Sequence, residues 1–192
     1  SKKELTDKTG IKFGKKNLLV TYHPVTLEKQ TSKKHFESLL NVLGNLKDCF
    51  MIFTMPNADP GGQVIKRMIE KFVSSHKDRC ISFTSMGHLN YLSTMQFVDG
   101  VVGNSSSGII EAPSFKKGTI NIGDRQLGRI KAKSVIDCKP TKKSISFAIE
   151  TLYSDSFQKI LNNVINPYEQ KDSSKKIINI LESISDNEIL KK

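Results

Sequence analysis

Short apolar runs alternate along the chain with longer segments in which apolar residues recur every three or four positions. Residues 17–23 (NLLVTYH) form the first largely apolar run, and residues 49–54 (CFMIFT) form the second. Short apolar runs that end at turn residues are typical of buried strands. The same reasoning predicts further strands at 80–84, 99–103, 119–123 and 134–138.

Helical periodicity fills the intervals between these runs. In residues 32–47, Phe36, Leu39 and Leu43 fall on one face of a helix. Residues 1–16 are lysine-rich and aperiodic, so we interpret them as a lead-in to a domain that spans 17–192. Further helices are predicted at 63–76, 88–97, 106–115, 142–152 and 173–185, and Pro113 limits the length of the third of these.

The alternation of strands and helices predicts the fold class. Strands that recur at roughly 25–30 residues with helices between them indicate βαβ units and a parallel sheet. Right-handed crossovers then place helices on both faces of the sheet. We therefore predict an α/β, Rossmann-like domain.

Loops of unusual composition follow five of the predicted strands. In open parallel sheets, ligands bind at the carboxyl ends of the strands, where the strand order reverses. The sequence therefore predicts a ligand site in which these loops meet. The loops are His23-Pro24, residues 56–59, residues 86–88, residues 103–106 and residues 123–125.

Composition narrows the class of protein. The 192 residues suit one domain, and the hydrophobic share of 37% is ordinary for a soluble protein. No apolar run approaches the ~18 residues needed to span a bilayer, and the lysine-rich start lacks the apolar region of a signal peptide. We expect a soluble, cytoplasmic protein without membrane contact. The three cysteines are far apart in the sequence, which favours buried free thiols over a disulfide framework or a metal site.

The net charge of +11 leaves two interpretations open. A basic protein can bind nucleic acid by neutralising phosphates, and such binding depends steeply on salt. Alternatively, the lysines form a solvated surface with one basic cleft for a phosphorylated small molecule. Tryptophan is absent, and the sequence lacks the aromatic and basic signature of a known RNA-binding module, so we favour the second interpretation and expect no nucleic-acid partner.

The segment 103–108 (GNSSSG) leads from a predicted strand into a predicted helix. The first N–H groups of a helix are unpaired, and together with the Ser105 and Ser106 hydroxyls they would suit a phosphate group. A serine that simply caps the helix is an equally good explanation of this segment alone.

Three further side chains carry a similar choice. Glu111 either stabilises the helix dipole or accepts hydrogen bonds from a ribose diol. Arg125 is either a surface residue or a fork-shaped donor to a diphosphate. His23 is either structural or suited to phosphate contact and proton transfer, and its place among the other loops favours the latter. Because a G-x-G-x-x-G motif is missing, a dinucleotide cofactor is not expected.

Three separated motifs carry a family resemblance. Residues 20–26 (VTYHPVT), 56–62 (PNADPGG) and 103–129 together resemble the C-terminal half of UDP-N-acetylglucosamine 2-epimerases, over about residues 17–153. The hydrolysing branch, which feeds bacterial synthesis of sialic acid, legionaminic acid and related sugars, is the more similar. The non-hydrolysing branch has H-R-R-E where this chain has residues 23–26 (HPVT).

The resemblance implies one half of a two-domain, glycosyltransferase-B-type fold with substrate in the cleft between the domains. Residues 1–16 would then link to a missing N-terminal domain. By similarity, His23 and Asn57 would contact UDP, and the backbone around Met86 would meet uracil.

The remaining implied contacts come from the later motifs. By similarity, Ser105 and Ser106 would hold the diphosphate, and Glu111 would bind the ribose hydroxyls. Arg125 would meet a further part of the nucleotide, and Asp59 would help to shape the same pocket. Neither a metal nor a cofactor is implied.

The reaction of the resembled family removes the proton at sugar C2, expels UDP and adds water, giving a free N-acetylmannosamine-type sugar. The resemblance places the main acid and base residues in the missing half, with His23 as a further candidate, so we expect no catalysis from this chain alone. The implied partners are a UDP-sugar, the missing domain and further copies of the full-length enzyme. The alternative is the donor-nucleotide half of a glycosyltransferase with the same fold.

Overall fold

A computed structural model describes residues 1–25, 31–56 and 61–184. Six parallel strands form one sheet in the order β3-β2-β1-β4-β5-β6. All six correspond to predicted strands. They are β1 (Lys16–Thr21), β2 (Cys49–Thr54), β3 (Cys80–Phe83), β4 (Gly100–Gly103), β5 (Gly118–Ile122) and β6 (Val135–Cys138).

The helices occupy the intervals between strands, with additions at both ends of the chain. The α-helices are α1 (Lys2–Thr9), α2 (Thr31–Gly44), α3 (Gly62–Ser75), α4 (Gly87–Phe97), α5 (Ser107–Ile110), α6 (Lys142–Leu152), α7 (Asp155–Asn162) and α8 (Ser173–Ser183). A 3-10 helix covers Ala112–Phe115.

Two helices were not predicted. The segment 1–16, interpreted as an aperiodic lead-in, contains α1, which begins with a capping box in which Ser1 accepts a hydrogen bond from the N–H of Glu4. A single buried residue, Leu5, anchors this helix, so its sequence carries no apolar period. Helix α7 begins at a Ser154 cap and buries Phe157 and Leu161 four residues apart.

Helices cover both faces of the sheet, as predicted. Alternate residues of β1 point to opposite faces, and Leu18 and Leu19 accordingly belong to different core clusters. The first cluster joins the sheet to α2, α3, α6 and α7, and the second joins it to α4 and the residues that follow α1. Apolar burial of this kind is the main favourable term in folding.

The strand order reverses between β1 and β4, at the centre of the sheet. Thr21 ends β1 and pairs with Thr54 on one side and with Gly103 on the other. The chain leaves both β1 and β4 at the same edge, which brings distant loops together. This edge is where open parallel sheets bind ligands.

The three cysteines are free thiols, two of them buried and one, Cys138, half-buried. Burial raises the pKa of Cys49 to about 11 and the pKa values of Cys80 and Cys138 to about 12. Because the thiolate is the reactive form, native protein at pH 8 is expected to react with iodoacetamide at least ~100-fold more slowly than glutathione does. Mass spectrometry would follow the labelling. Denatured protein, in which all three should react freely, is the control, and rapid labelling of the native protein would contradict this expectation.

In residues 1–25, 31–56 and 61–184, every helix is too short or too polar to cross a bilayer.

Candidate functional site

Asn104 joins the loops that follow the two central strands. Its side chain is 1% exposed and bridges both backbone groups of His23. The Asn104 Oδ1 atom accepts from the His23 N–H at 2.7 Å, and Nδ2 donates to the His23 carbonyl at 2.8 Å. One amide side chain thus satisfies a donor and an acceptor that are buried beside it.

The loop after β5 is tied to the same residue. Arg125 donates from Nη1 to the Asn104 carbonyl at 3.1 Å, and Gln126 donates from Nε2 to that carbonyl at 2.8 Å. Loops after β1, β4 and β5 therefore meet at Asn104, which brings His23 and Arg125 to one edge as predicted. Asn104 lies in a loop that was predicted to reach this edge, but its role in joining the loops and the contribution of Gln126 were not predicted.

The serine loop (residues 103–108) and the helix that follows it differ from their prediction in one respect. The predicted helix 106–115 is a single α-helical turn, Ser107–Ile110, which ends at Glu111 and is followed by the 3-10 helix. Pro113 has no N–H to donate and clashes with the carbonyl four residues earlier, so the α-helix cannot continue. A four-residue helix has little macrodipole, and hydroxyl groups must carry most of the anion-binding capacity of this loop.

A chain of hydroxyl groups runs from helix α4 into the serine loop. The Tyr91 hydroxyl lies 2.6 Å from Ser107 Oγ, which donates to Ser105 Oγ at 3.1 Å. Tyr91 comes from α4 and was not singled out from the sequence, where it fits an ordinary helical position.

Burial gives Tyr91 a fixed protonation state. Desolvation raises the pKa of its phenol and the negative charge of Glu111 raises it further, whereas the neighbouring Ser107 and Thr21 hydroxyls lower it. The phenol therefore keeps its proton at neutral pH. Glu111 lies at the junction of α5 and the 3-10 helix, four residues after Ser107.

Met86 precedes α4 and presents its backbone rather than its side chain. The side chain is buried in the second core cluster, and the carbonyl accepts a hydrogen bond from Asn90 Nδ2 at 3.0 Å. Gly87 follows with a φ of 67°, a conformation that glycine adopts without strain. A ligand near this loop would therefore contact main-chain atoms.

The predicted residues Asn57 and Asp59 lie outside the described residues. His23 is described and is 8% exposed, so its side chain is largely enclosed by the protein. Ser105 and Ser106 are half-buried, and Arg125 is exposed at the same edge.

A cavity of about 250 Å³ opens beside Arg125. It lies between the loop that follows β1, helix α2 and the loop that follows β5. A cavity at this edge gives a ligand access to the joined loops. Its lining residues are Tyr22, Val25, His35, Ile122, Gly123, Asp124, Arg125 and Pro140.

Within the described part of the chain, histidine, cysteine and acidic side chains do not gather into a group of three that would hold a metal ion. The chemistry available at the described edge is that of hydroxyl, amide, imidazole, guanidinium and carboxylate groups.

Comparison with known proteins supplies a family. The family profile for UDP-N-acetylglucosamine 2-epimerase matches residues 1–182. A Campylobacter jejuni GDP/UDP-N,N'-diacetylbacillosamine 2-epimerase (hydrolyzing) is 37% identical over 82% of this chain and 41% of its own length. The Escherichia coli polysialic acid biosynthesis protein P7 is 35% identical over 92% of this chain and 45% of its own length. The chain thus spans less than half of these relatives.

Two solved structures share the fold at low sequence identity. The S. aureus MnaA–UDP co-structure superposes with a TM-score of 0.69 at 17% identity, covering 93% of this chain and 46% of that one. The C-terminal domain of a glycosyl transferase group 1 family protein (LpcC) from Francisella tularensis superposes with a TM-score of 0.57 at 16% identity, covering 96% and 94%. The fold is therefore that of glycosyltransferase-B-type domains.

Proposed function

This chain belongs to the UDP-N-acetylglucosamine 2-epimerase family, and we propose that it is the UDP-binding, C-terminal half of a hydrolysing UDP-sugar 2-epimerase. The products would be UDP and a free N-acetylmannosamine-type sugar, a precursor of sialic acid-like sugars. The names of the C. jejuni and E. coli relatives support this direction. The substrate is UDP-N-acetylglucosamine or a UDP-2,4-diacetamido-6-deoxy sugar.

The observation that carries the proposal is the meeting of three loops at Asn104. Asn104 holds His23 and Arg125 at the edge where β1 and β4 diverge, next to the serine loop. In this assignment His23 serves nucleotide contact or proton transfer. The same edge binds nucleotides in other open parallel sheets, which supports a nucleotide as the ligand here.

The remaining contacts follow the order of the loops. We assign uracil to the Met86 backbone, the diphosphate to Ser105 and Ser106, and the ribose hydroxyls to the Glu111 carboxylate. Arg125 adds the charge that a departing diphosphate requires. In the loop outside the described residues, Asn57 would contact UDP and Asp59 would shape the pocket.

Departure of UDP leaves negative charge on the diphosphate, and donors that are already in place stabilise that charge most effectively. Arg125 uses one N–H for the Asn104 carbonyl, which orients the guanidinium. A guanidinium has five N–H donors, so it can donate to an anion at the same time. This arrangement supports a role in holding and releasing UDP.

Inversion at sugar C2 needs a base on one face of the sugar ring to remove the proton and an acid on the other face to return one. The chain covers 41% and 45% of the C. jejuni and E. coli relatives, and we propose that the main proton-transfer residues lie in the remainder. The chain alone is then expected to bind UDP without turning over a UDP-sugar. Closure of a second domain would complete the site.

Calorimetric titration tests the proposal. The chain should bind UDP more tightly than AMP or GDP, and Glu111→Ala should weaken UDP binding by about 1–3 kcal/mol, because hydrogen bonds to a charged carboxylate are lost. Glu150→Ala, an exposed change on α6, is the matched control and should leave affinity unchanged. A folded sample that binds no UDP at millimolar concentration, or that binds nucleic acid with a steep salt dependence instead, would refute the proposal.

A second candidate is the donor-nucleotide half of a glycosyltransferase, which the shared fold with the LpcC domain favours. Turnover by the complete protein separates the two functions. Release of UDP and a free 2-acetamido sugar without an acceptor supports the epimerase. Strict dependence on an acceptor supports the transferase.

A further inference from the structure

The hydroxyl chain at the serine loop has a single direction. Each hydroxyl group carries one hydrogen and so donates one hydrogen bond. Ser107 Oγ donates that hydrogen to Ser105 Oγ at 3.1 Å. The contact of 2.6 Å between Ser107 Oγ and the Tyr91 hydroxyl must then have Tyr91 as its donor.

Donation therefore runs in one order, from Tyr91 to Ser107 and from Ser107 to Ser105.

The chain of hydroxyl groups ends with an unused donor. Ser105 Oγ accepts from both the hydroxyl and the backbone N–H of Ser107, the latter at 3.4 Å. In the part of the chain that the structure describes, no contact uses the hydrogen of the Ser105 hydroxyl. Ser105 is half-buried at the ligand edge, so this hydrogen is presented to whatever binds there.

A chain that ends in a donor is matched to an acceptor ligand. Hydrogen bonds in series polarise one another, so each upstream donor strengthens the next. Ser105 becomes a better donor to an anion than an isolated serine would be. Phosphate oxygens are acceptors, whereas a cation or an N–H group would meet the chain with the wrong polarity.

We propose that Tyr91 is a positioning residue for the diphosphate: it fixes the direction of the hydroxyl chain so that Ser105 donates to a phosphate oxygen. The inference rests on the proposed function and adds a residue that acts through Ser107 and Ser105 without touching the ligand. Its burial, with a raised phenol pKa, keeps Tyr91 a donor across the neutral range.

The test is Tyr91→Phe, which keeps the ring and removes the donor. UDP should bind about three- to tenfold more weakly, the effect of one lost hydrogen bond. Uridine, which has no phosphate, should bind the variant and the unaltered chain equally. Both affinities are measured by NMR titration of the 192-residue chain, which reports weak binding.

Two further variants sharpen the test. Ser107→Ala removes the next hydroxyl group of the series, so it should weaken UDP binding and leave uridine binding unchanged. The double variant should lose no more UDP affinity than either single variant. Tyr153→Phe is the matched control, because that phenol hydrogen bonds Asp99 at 3.4 Å, next to the amino end of β4. It should leave UDP affinity unchanged.

The outcomes are distinct. Failure of the unaltered, folded chain to bind UDP removes the proposed function and this inference together. Normal UDP binding by Tyr91→Phe overturns the inference and leaves the proposed function standing. Equal weakening of UDP and uridine also overturns it, because that result would mean general damage to the loop.

Discussion

Gly103→Ala is expected to lower the free energy of unfolding by more than about 3 kcal/mol, the largest effect expected of any change considered. A Cβ atom on Gly103 would lie 1.9 Å from the Thr21 carbonyl oxygen and 2.7 Å from its carbon. Its φ of 140° is also one that side-chain-bearing residues rarely adopt. Both obstacles are backbone, so a rotated side chain cannot relieve them. The central strands β1 and β4 would have to separate.

Chemical denaturation followed by circular dichroism would measure this loss. Gly10→Ala is the matched control, since Gly10 also has a positive φ, 72°, but a Cβ there would have no atom within 4 Å. It should cost about 1 kcal/mol, the ordinary strain of alanine in that region. Equal effects of the two changes would mean that the contact with Thr21 carries no energy.

Asn104→Ala is expected to cost about 2–4 kcal/mol of unfolding free energy, because it removes two buried hydrogen bonds to the backbone of His23. The two lost hydrogen bonds measure 2.7 and 2.8 Å and are buried. The loop after β1 would also lose its fixed position, so UDP affinity should fall with stability. Denaturation and calorimetry on the same sample would record both quantities.

Asn41→Ala provides the comparison for this change. Asn41 donates from Nδ2 to the Glu37 carbonyl at 2.8 Å, but it does so on the exposed face of α2. Water can replace that bond, so the change should alter stability by less than about 0.5 kcal/mol. If Asn104→Ala were equally mild, the loops would be held together by other contacts.

The sheet was predictable from the sequence because each strand is a short apolar run with turn residues after it. β2, CFMIFT, is buried along almost its whole length, and its predicted bounds match the observed ones. Helix α1 escaped prediction because one buried residue, Leu5, produces no period. The helix predicted over 106–115 ends at Glu111 because Pro113 stops it earlier than the prediction allowed.

The site was predictable only in its location. A parallel sheet follows from the βαβ pattern, and the loops after its strands, which carry His23, Ser105 and Arg125, then lie at one edge. Their partners depend on exact register, since the bonds between Asn104 and His23 join residues 81 positions apart. Tyr91 was not predicted for the same reason, because its hydroxyl acts through Ser107 on α5. The roles of Asn57 and Asp59 stay predictions.

Asn104 makes its two sets of connections in chemically different ways. Its side chain bonds to His23, so this connection depends on the asparagine at position 104 and a single substitution there removes it. Its carbonyl receives Arg125 and Gln126, and every amino acid offers the same carbonyl. A substitution at position 104 can therefore remove the bonds to the loop after β1. The bonds to the loop after β5 are lost only when Arg125 or Gln126 is changed.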